Sequence, residues 1–114
     1  MNTSSALESL KALAQEHRLA LYRLLVQAGG EGMPVGVLGE RLGLPGATLS
    51  NHLNVLRAAG LVRDVREGRV IRCRADYARM DALLAFLTEN CCAGDTSACA
   101  AAPTCVPKPR SRRP

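Results

Sequence analysis

The stretch that decides the fold is Leu42 to Val62, which reads LGLPGATLSNHLNVLRAAGLV. A short helix is predicted to end at Gly43, and the connection Leu44-Pro45-Gly46 leads into a second helix from about Ala47 to Ala59. The apolar stripe of this second helix consists of Leu49, Leu53 and Leu56. Two helices joined by so short a turn are typical of a helix-turn-helix, whose second helix can enter the major groove of DNA. An ordinary helical hairpin with a solvated polar face is the alternative interpretation.

The opposite side of the second helix carries small and amide side chains. They are Ala47, Asn51, Asn54 and Ala58, flanked by Thr48, Ser50 and Arg57. Small side chains let the backbone approach a groove, and asparagine can form hydrogen bonds with base edges. The composition of this face therefore favours a DNA-reading helix.

A predicted β-hairpin follows directly after Gly60, because the apolar period changes from the helical value to two. The alternating runs LVRDVR (61–66) and RVIRCR (69–74) flank the turn residues Glu67-Gly68. Five arginines stand in this region against only Asp64 and Glu67. A hairpin placed after a helix-turn-helix is a wing, and its arginines would contact phosphates or a minor groove.

The remaining periodic segments predict three more helices and one extended piece. A first helix begins at Ser4 or Ser5, with Glu8 completing a capping box, and a second runs from about Glu16 to Ala28. Met33-Pro34 is extended before the helix that ends at Gly43, and a last helix spans Asp76 to about Asn90. The predicted apolar faces comprise Leu7, Leu10 and Ala14 in the first helix, Leu19, Tyr22 and Val26 with Leu21, Leu24 and Leu25 in the second, Val35, Leu38 and Leu42 before Gly43, and Met80, Leu83, Leu84 and Leu87 in the last.

Composition indicates one small, mainly α domain with a β-hairpin (residues 1–92), followed by a basic tail (93–114). The net charge is +5, which suits an anionic partner such as nucleic acid. Neither an apolar run of membrane-spanning length nor a signal peptide is recognised. Four of the five cysteines follow residue 90, a distribution that favours free thiols in the cytoplasm over a secreted disulfide framework.

Three runs resemble the ArsR/SmtB family of arsenical- and metal-responsive winged-helix repressors: LKALAQEHRLALYRLL, LGLPGATLSNHLNVLRAAGLV and REGRVIRCR. The resemblance spans residues 5 to 92 and keeps the order and spacing of the motifs. It implies a homodimer joined through the first and last helices, which binds a palindromic operator and represses its own operon until an inducer binds. Matched by position, the implied DNA-contacting residues are Thr48, Ser50, Asn51 and His52 on the second helix of the motif, which also carries Asn54, and Arg66 and Arg69 on the wing.

Two metal sites familiar in the family have no counterpart here. The third helix has Met33-Pro34-Val35-Gly36-Val37-Leu38 where many relatives carry a cysteine motif, and no histidine follows Asp76 on the last helix. Pro45 also stands where relatives often have a serine or threonine cap, so a weaker start of the reading helix is expected.

The remaining candidate ligands are the cysteines after the last helix. Cys91, Cys92 and Cys99 offer three soft thiolates, and Cys105 competes with Cys99 for the third position. Trivalent arsenic, or antimony, fits three sulfurs best, and some family members resemble this chain in carrying such a cysteine set and responding to these ions. No organic cofactor is expected. Cys73 lies between arginines in a predicted strand, where packing is the favoured role.

Other functions of the same cysteines stay open from the sequence. Within the regulator class, these are a thiol redox switch and a sensor of an organoarsenical, cadmium or lead. From another class, the pair Cys91-Cys92 could belong to a thiol oxidoreductase or a metal carrier, although it lacks the two-residue spacer of redox motifs. No catalytic triad or carboxylate pair suggests any other enzyme.

Overall fold

The computed structural model describes residues 1–91, which form five helices around a small antiparallel sheet. The elements in chain order are α1 (Thr3–Leu13), α2 (Glu16–Ala28), β1 (Met33–Pro34), α3 (Val35–Leu42), α4 (Gly46–Ala58), β2 (Val62–Glu67), β3 (Val70–Ala75) and α5 (Tyr77–Leu87). This order and the hairpin confirm the predicted winged helix-turn-helix. None of the described helices is long and apolar enough to cross a membrane.

The first helix is capped differently from the sequence prediction. Asn2 is the N-cap: its side chain accepts a hydrogen bond from the Ser5 amide at 2.8 Å, and the Ser5 hydroxyl completes the box. The predicted cap at Ser4 or Ser5 with Glu8 is therefore wrong, because an amide oxygen two to three residues earlier already satisfies these N–H groups.

The packed face of α1 also differs from the prediction. Ala6, Ser9 and Ala12 face the interior, whereas Leu7 and Leu10 are exposed at 48% and 38% of their surface. Small residues on the inner face let α1 lie close to the rest of the domain. The larger apolar stripe of α1 is consequently left on the surface of the single chain.

The core forms where α2, α4 and the base of the hairpin meet. Its fully buried large side chains include Leu21, Leu25, Leu38, Leu53, Leu56 and Leu61. The predicted stripe of α4 is confirmed, because Leu49, Leu53 and Leu56 are all buried. On α2 the structure buries Leu21, Tyr22 and Leu25 but exposes Leu19 and Val26, so the predicted face there is only partly correct.

The sheet has the order β1-β3-β2, with both pairs antiparallel. Met33 pairs with Cys73, so the extended piece before α3 joins the wing. Gly32 makes this pairing possible, since a Cβ at that position would overlap the Cys73 carbonyl oxygen. Arg72 reinforces the junction by donating to the carbonyl oxygens of Glu31 and Gly32 at 3.0 and 3.3 Å.

The last helix begins at an Asp76 cap and ends at Leu87, three residues before the predicted end at Asn90. Its first turn is fixed to α2, because the Tyr77 hydroxyl donates to the Val26 carbonyl at 2.8 Å. Asn90 then adopts the left-handed conformation with φ of 56°. The chain therefore leaves the helical path before it reaches the cysteines.

Candidate nucleic-acid interface

The helix-turn-helix presents one exposed face of α4. Gly43 ends α3 in the left-handed conformation, and Pro45 lies immediately before α4. The buried leucines fix the inner side of α4, so that Ser50, Asn51 and Asn54 are exposed on the outer side. Three of the predicted DNA-contacting side chains are thus brought together on one surface.

Pro45 gives α4 no side-chain cap, as expected from the sequence. The amide groups of the first turn consequently remain available to water or to an anion. A helix N-terminus with open N–H groups favours negative charge, and a phosphate of a DNA backbone would satisfy them.

Thr48 and His52 lie at the margin of this exposed face and are partly buried. The His52 ring packs beside the His17 ring of α2, with 5.8 Å between the ring centroids. Partial burial, together with nearby Arg18 and His17, lowers the pKa of His52 below its ordinary value. A neutral His52 that packs against α2 is therefore not grouped with Asn51 and Asn54.

The wing presents two arginines at its tip. Glu67 pairs with Val70, which leaves Gly68 and Arg69 as a two-residue turn, and the positive φ of Gly68 suits the first turn position. Arg66 and Arg69 are both exposed. Among the described residues neither arginine has an ion pair or a hydrogen bond with the protein, so both guanidinium groups are available to phosphates.

Other arginines of the cluster are engaged within the fold. Arg63 pairs with Asp76 at 3.3 Å, and Arg72 is held by the carbonyl groups before β1. The charge cluster predicted from the sequence is therefore divided into structural arginines near the base of the wing and free ones near its tip.

Arg57 connects α4 to the wing, a role that the sequence did not reveal. Its Nε donates to Asp64 Oδ1 at 3.0 Å, its Nη1 to Asn54 Oδ1 at 2.9 Å, and its Nη2 to Cys73 Sγ at 3.7 Å. Asn54 and Arg57 are three residues apart on one helix, and this spacing is a sequence signal for the contact between their side chains. The contact with Asp64 depends on how the chain turns after Gly60 and had no such signal.

Cys73 is fully buried at this junction and donates to Asp64 Oδ1 at 3.4 Å. Burial and the hydrogen bond with Asp64 raise the pKa of the Cys73 thiol to about 11. A buried thiol of such high pKa is unreactive at neutral pH, which agrees with the predicted packing role.

The candidate arsenic ligands lie beyond the last helix. Cys91 is partly buried, and its amide donates to the Thr88 carbonyl at 3.0 Å. Contrary to the expectation of free thiols, Cys91 is disulfide-bonded in the structure. Cys92, Cys99 and Cys105 lie outside the described residues, and within residues 1–91 no group of three His, Cys, Asp or Glu side chains could hold a metal. Because α5 ends at Leu87, Cys91 does not continue the helical face of Met80, Leu84 and Leu87.

Residues 13–65 match a protein family described as a helix-turn-helix domain. Transcriptional activator HlyU of Vibrio cholerae is 32% identical over 91 residues, which cover 80% of this chain and 82% of HlyU.

Two solved structures share the fold. An ArsR-like transcriptional regulator from Rhodococcus sp. RHA1 has a TM-score of 0.66 and 31% identity over 74% of this chain and 76% of that one. A homodimeric winged helix-turn-helix DNA-binding domain from Mycobacterium bovis has a TM-score of 0.60 and 33% identity over 74% and 78% of the two chains. The relative and the two structures each match about three quarters or more of the chain. The chain therefore belongs to the ArsR/HlyU family of winged helix-turn-helix transcriptional regulators, and it is a DNA-binding regulator rather than an enzyme.

Proposed function

We propose that this protein is a transcriptional repressor that trivalent arsenic, or antimony, releases from its operator. The observation that carries the proposal is the position of the cysteines, which begin at Cys91 only four residues beyond the end of α5. In the proposal α5 and α1 form the dimer seam, so a ligand bound beside α5 can change how two copies are arranged.

The DNA contacts would come from two separate parts of the domain. Ser50, Asn51 and Asn54 would face base edges in the major groove, whereas Arg66 and Arg69 would contact phosphates. In a dimer, the two copies of α4 would enter successive major grooves about 34 Å apart. The exposure of these side chains supports this assignment.

The dimer would bury apolar side chains that the single chain exposes. Leu7, Leu10 and Leu87 are exposed at 48%, 38% and 54% on α1 and α5. A domain of this size gains stability when a partner covers such surface. The relative from Mycobacterium bovis is homodimeric, which supports dimerisation.

The proposed ligands are Cys91, Cys92 and Cys99. Three thiolates without histidine or carboxylate fit a thiophilic ion, and trivalent arsenic supplies a pyramidal centre that takes three sulfurs. The left-handed turn at Asn90 supports this donor set, since the direction of Cys91 is no longer set by α5. The three cysteines would have to be reduced before they could bind the ion.

Release from DNA requires that the cysteines bind the ion more tightly in one dimer arrangement than in the other. Gathering three sulfurs at the end of α5 would shift the seam, and the spacing of the two α4 helices would no longer match successive grooves. As a DNA-binding transcriptional regulator, the protein would act in the cytoplasm. HlyU is named as an activator. Repression by this chain is therefore part of the proposal.

The test is an arsenite titration of the reduced protein on a duplex selected from a random-sequence library. Arsenite should weaken binding of the unmodified protein by about tenfold or more. The double variant Cys91→Ser, Cys92→Ser should keep its affinity in arsenite, while Cys105→Ser should respond as the unmodified protein does. Release of the double variant, or continued binding of the unmodified protein, would contradict arsenic control.

A thiol redox switch is the second candidate, and the disulfide at Cys91 favours it. Hydrogen peroxide would oxidise the thiols of Cys91 and a second cysteine to a disulfide, and would itself be reduced to two molecules of water. Peroxide should then change DNA affinity reversibly with a reductant, and Cys91→Ser should abolish the change.

A further inference from the structure

The contact between Arg57 and Asn54 decides which way the Asn54 amide points. The two side chains are one helical turn apart on α4, and Arg57 Nη1 lies 2.9 Å from Asn54 Oδ1. Because a guanidinium group only donates hydrogen bonds, the Asn54 atom that faces it must be the oxygen. Oδ1 is therefore directed toward Arg57, whereas Nδ2 of this exposed side chain has no hydrogen-bond partner among the described residues.

Arg57 is itself held from the side of the wing. Its Nε donates to Asp64 on β2 at 3.0 Å, and its Nη2 lies 3.7 Å from the buried Cys73 sulfur on β3. Three separate nitrogens thus contact three different residues. A lysine has a single nitrogen on a flexible stem and could not hold the same three partners in a fixed plane.

We infer that Arg57 is a positioning residue that restricts Asn54 to reading hydrogen-bond acceptors, so that the base pair beneath Asn54 is read as guanine rather than adenine. This inference rests on the proposed contact of α4 with the major groove. An asparagine recognises adenine when its oxygen and nitrogen both face the base edge, with N6 donating and N7 accepting. Here the oxygen is turned aside.

The Nδ2 group, which has no partner among the described residues, carries two hydrogens that suit the N7 and O6 acceptors of guanine. Adenine would oppose it with its own N6 donor. The wing thereby influences base reading without contacting that base, since Asp64 and Cys73 hold the guanidinium that orients Asn54.

The test compares base preferences of four proteins selected on the same random-sequence duplex library: the unmodified chain, Asn54→Ala, Arg57→Met and Arg57→Lys. The base pair read by Asn54 is the one whose preference disappears in Asn54→Ala. There the unmodified chain should favour guanine over adenine by about tenfold. Arg57→Met and Arg57→Lys should shift that ratio toward adenine by about tenfold, because the freed amide can turn both of its ends to the groove.

The readout separates positioning from mere stabilisation of the wing. A structural loss would weaken binding to all sequences alike, whereas the inference requires a change at one base pair. In an Asn54→Ala background, Arg57→Met should have no further effect on that base pair. Arg23→Met, which removes the same charge from an exposed position on α2, should leave every base preference unchanged.

Two results would overturn the inference about Arg57 while leaving the proposed operator binding intact. One is an adenine preference at the Asn54 base pair in the unmodified chain, and the other is an unchanged preference in both Arg57 variants. If the unmodified chain selects no sequence at all, the proposed operator binding fails together with the inference.

Discussion

At the scale of single residues, the hydroxyl groups of Tyr22 and Tyr77 lie in different hydrogen-bonding environments. The Tyr22 hydroxyl is buried and has no hydrogen-bond partner among the described residues, whereas that of Tyr77 donates to the Val26 carbonyl. Burial, reinforced by the nearby charges of Asp76, Tyr77 and Asp81, raises the pKa of Tyr22 to about 12. Tyr22 was placed correctly on the apolar face of α2 by the sequence, but the state of its hydroxyl depends on tertiary packing.

Tyr22→Phe should therefore be as stable as the unmodified protein at pH 7, or more stable by up to about 1 kcal/mol. The folded-state pKa is raised, so the stabilising effect of a neutral Tyr22 is complete below pH 10 and is lost as the pH rises toward 12. Tyr22→Phe should remove this part of the alkaline loss, roughly 1 kcal/mol at pH 11. Urea unfolding at both pH values measures it.

Tyr77→Phe provides the comparison for that measurement. It removes a satisfied hydrogen bond and should cost about 1 kcal/mol at pH 7. An equal loss of stability in Tyr22→Phe at pH 7 would show that the Tyr22 hydroxyl does have a partner.

At the scale of elements, the wing combines a structural base with a tip that is available to DNA. Arg63 is paired with Asp76 and Arg72 with backbone carbonyls, whereas Arg66 and Arg69 are exposed. The sequence predicted the hairpin and its charge, because alternation and a glycine turn are local signals. The sequence could not show which arginines are paired within the fold and which are exposed. The partners of Arg63 and Arg72 lie at the start of α5 and in the loop before β1, far from them in the chain.

The double variant Arg66→Ala, Arg69→Ala should bind all duplexes more weakly by a similar factor. The slope of log affinity against log salt should become shallower by about 0.9 for each phosphate that the variant no longer neutralises. Affinity measured over a series of salt concentrations gives this slope. Arg63→Ala is the matched control and should leave the slope nearly unchanged; an equal change there would contradict the assignment of the wing tip.

At the scale of the whole molecule, the exposed apolar faces of α1 and α5 form the surface that a second copy would cover in the proposed dimer. Leu10→Glu should leave the fold intact, because Leu10 is 38% exposed in the single chain. In the proposed dimer it would bury a charge without a partner, and dimerisation should weaken by roughly a hundredfold or more. Analytical ultracentrifugation and circular dichroism measure the two effects.

Val65→Glu is the control for that experiment, since Val65 is exposed to a similar extent, 39%, but lies on β2. It should leave the oligomeric state unchanged. A dimer that survives Leu10→Glu, or an unmodified protein that is monomeric, would contradict the proposed seam.

Local sequence determined most of the elements of this protein. The bounds of α2 are those predicted, and α4 begins and ends within one residue of the prediction. The hairpin turn was predicted one residue too early, at Glu67-Gly68, because Glu67 still pairs with Val70 and the turn is Gly68-Arg69. These features depend on periodicity, capping and turn chemistry, which act between residues close in the chain.

Tertiary structure decided what the local pattern leaves open. It turned Leu7 and Leu10 outward and joined Arg57 to Asp64 and Cys73. Each of these outcomes depends on partners far apart in the sequence or on which of two apolar faces packs more closely. A periodic pattern shows that a helix has an apolar face, but only the assembled domain determines whether that face contacts its own core or is left for a second copy.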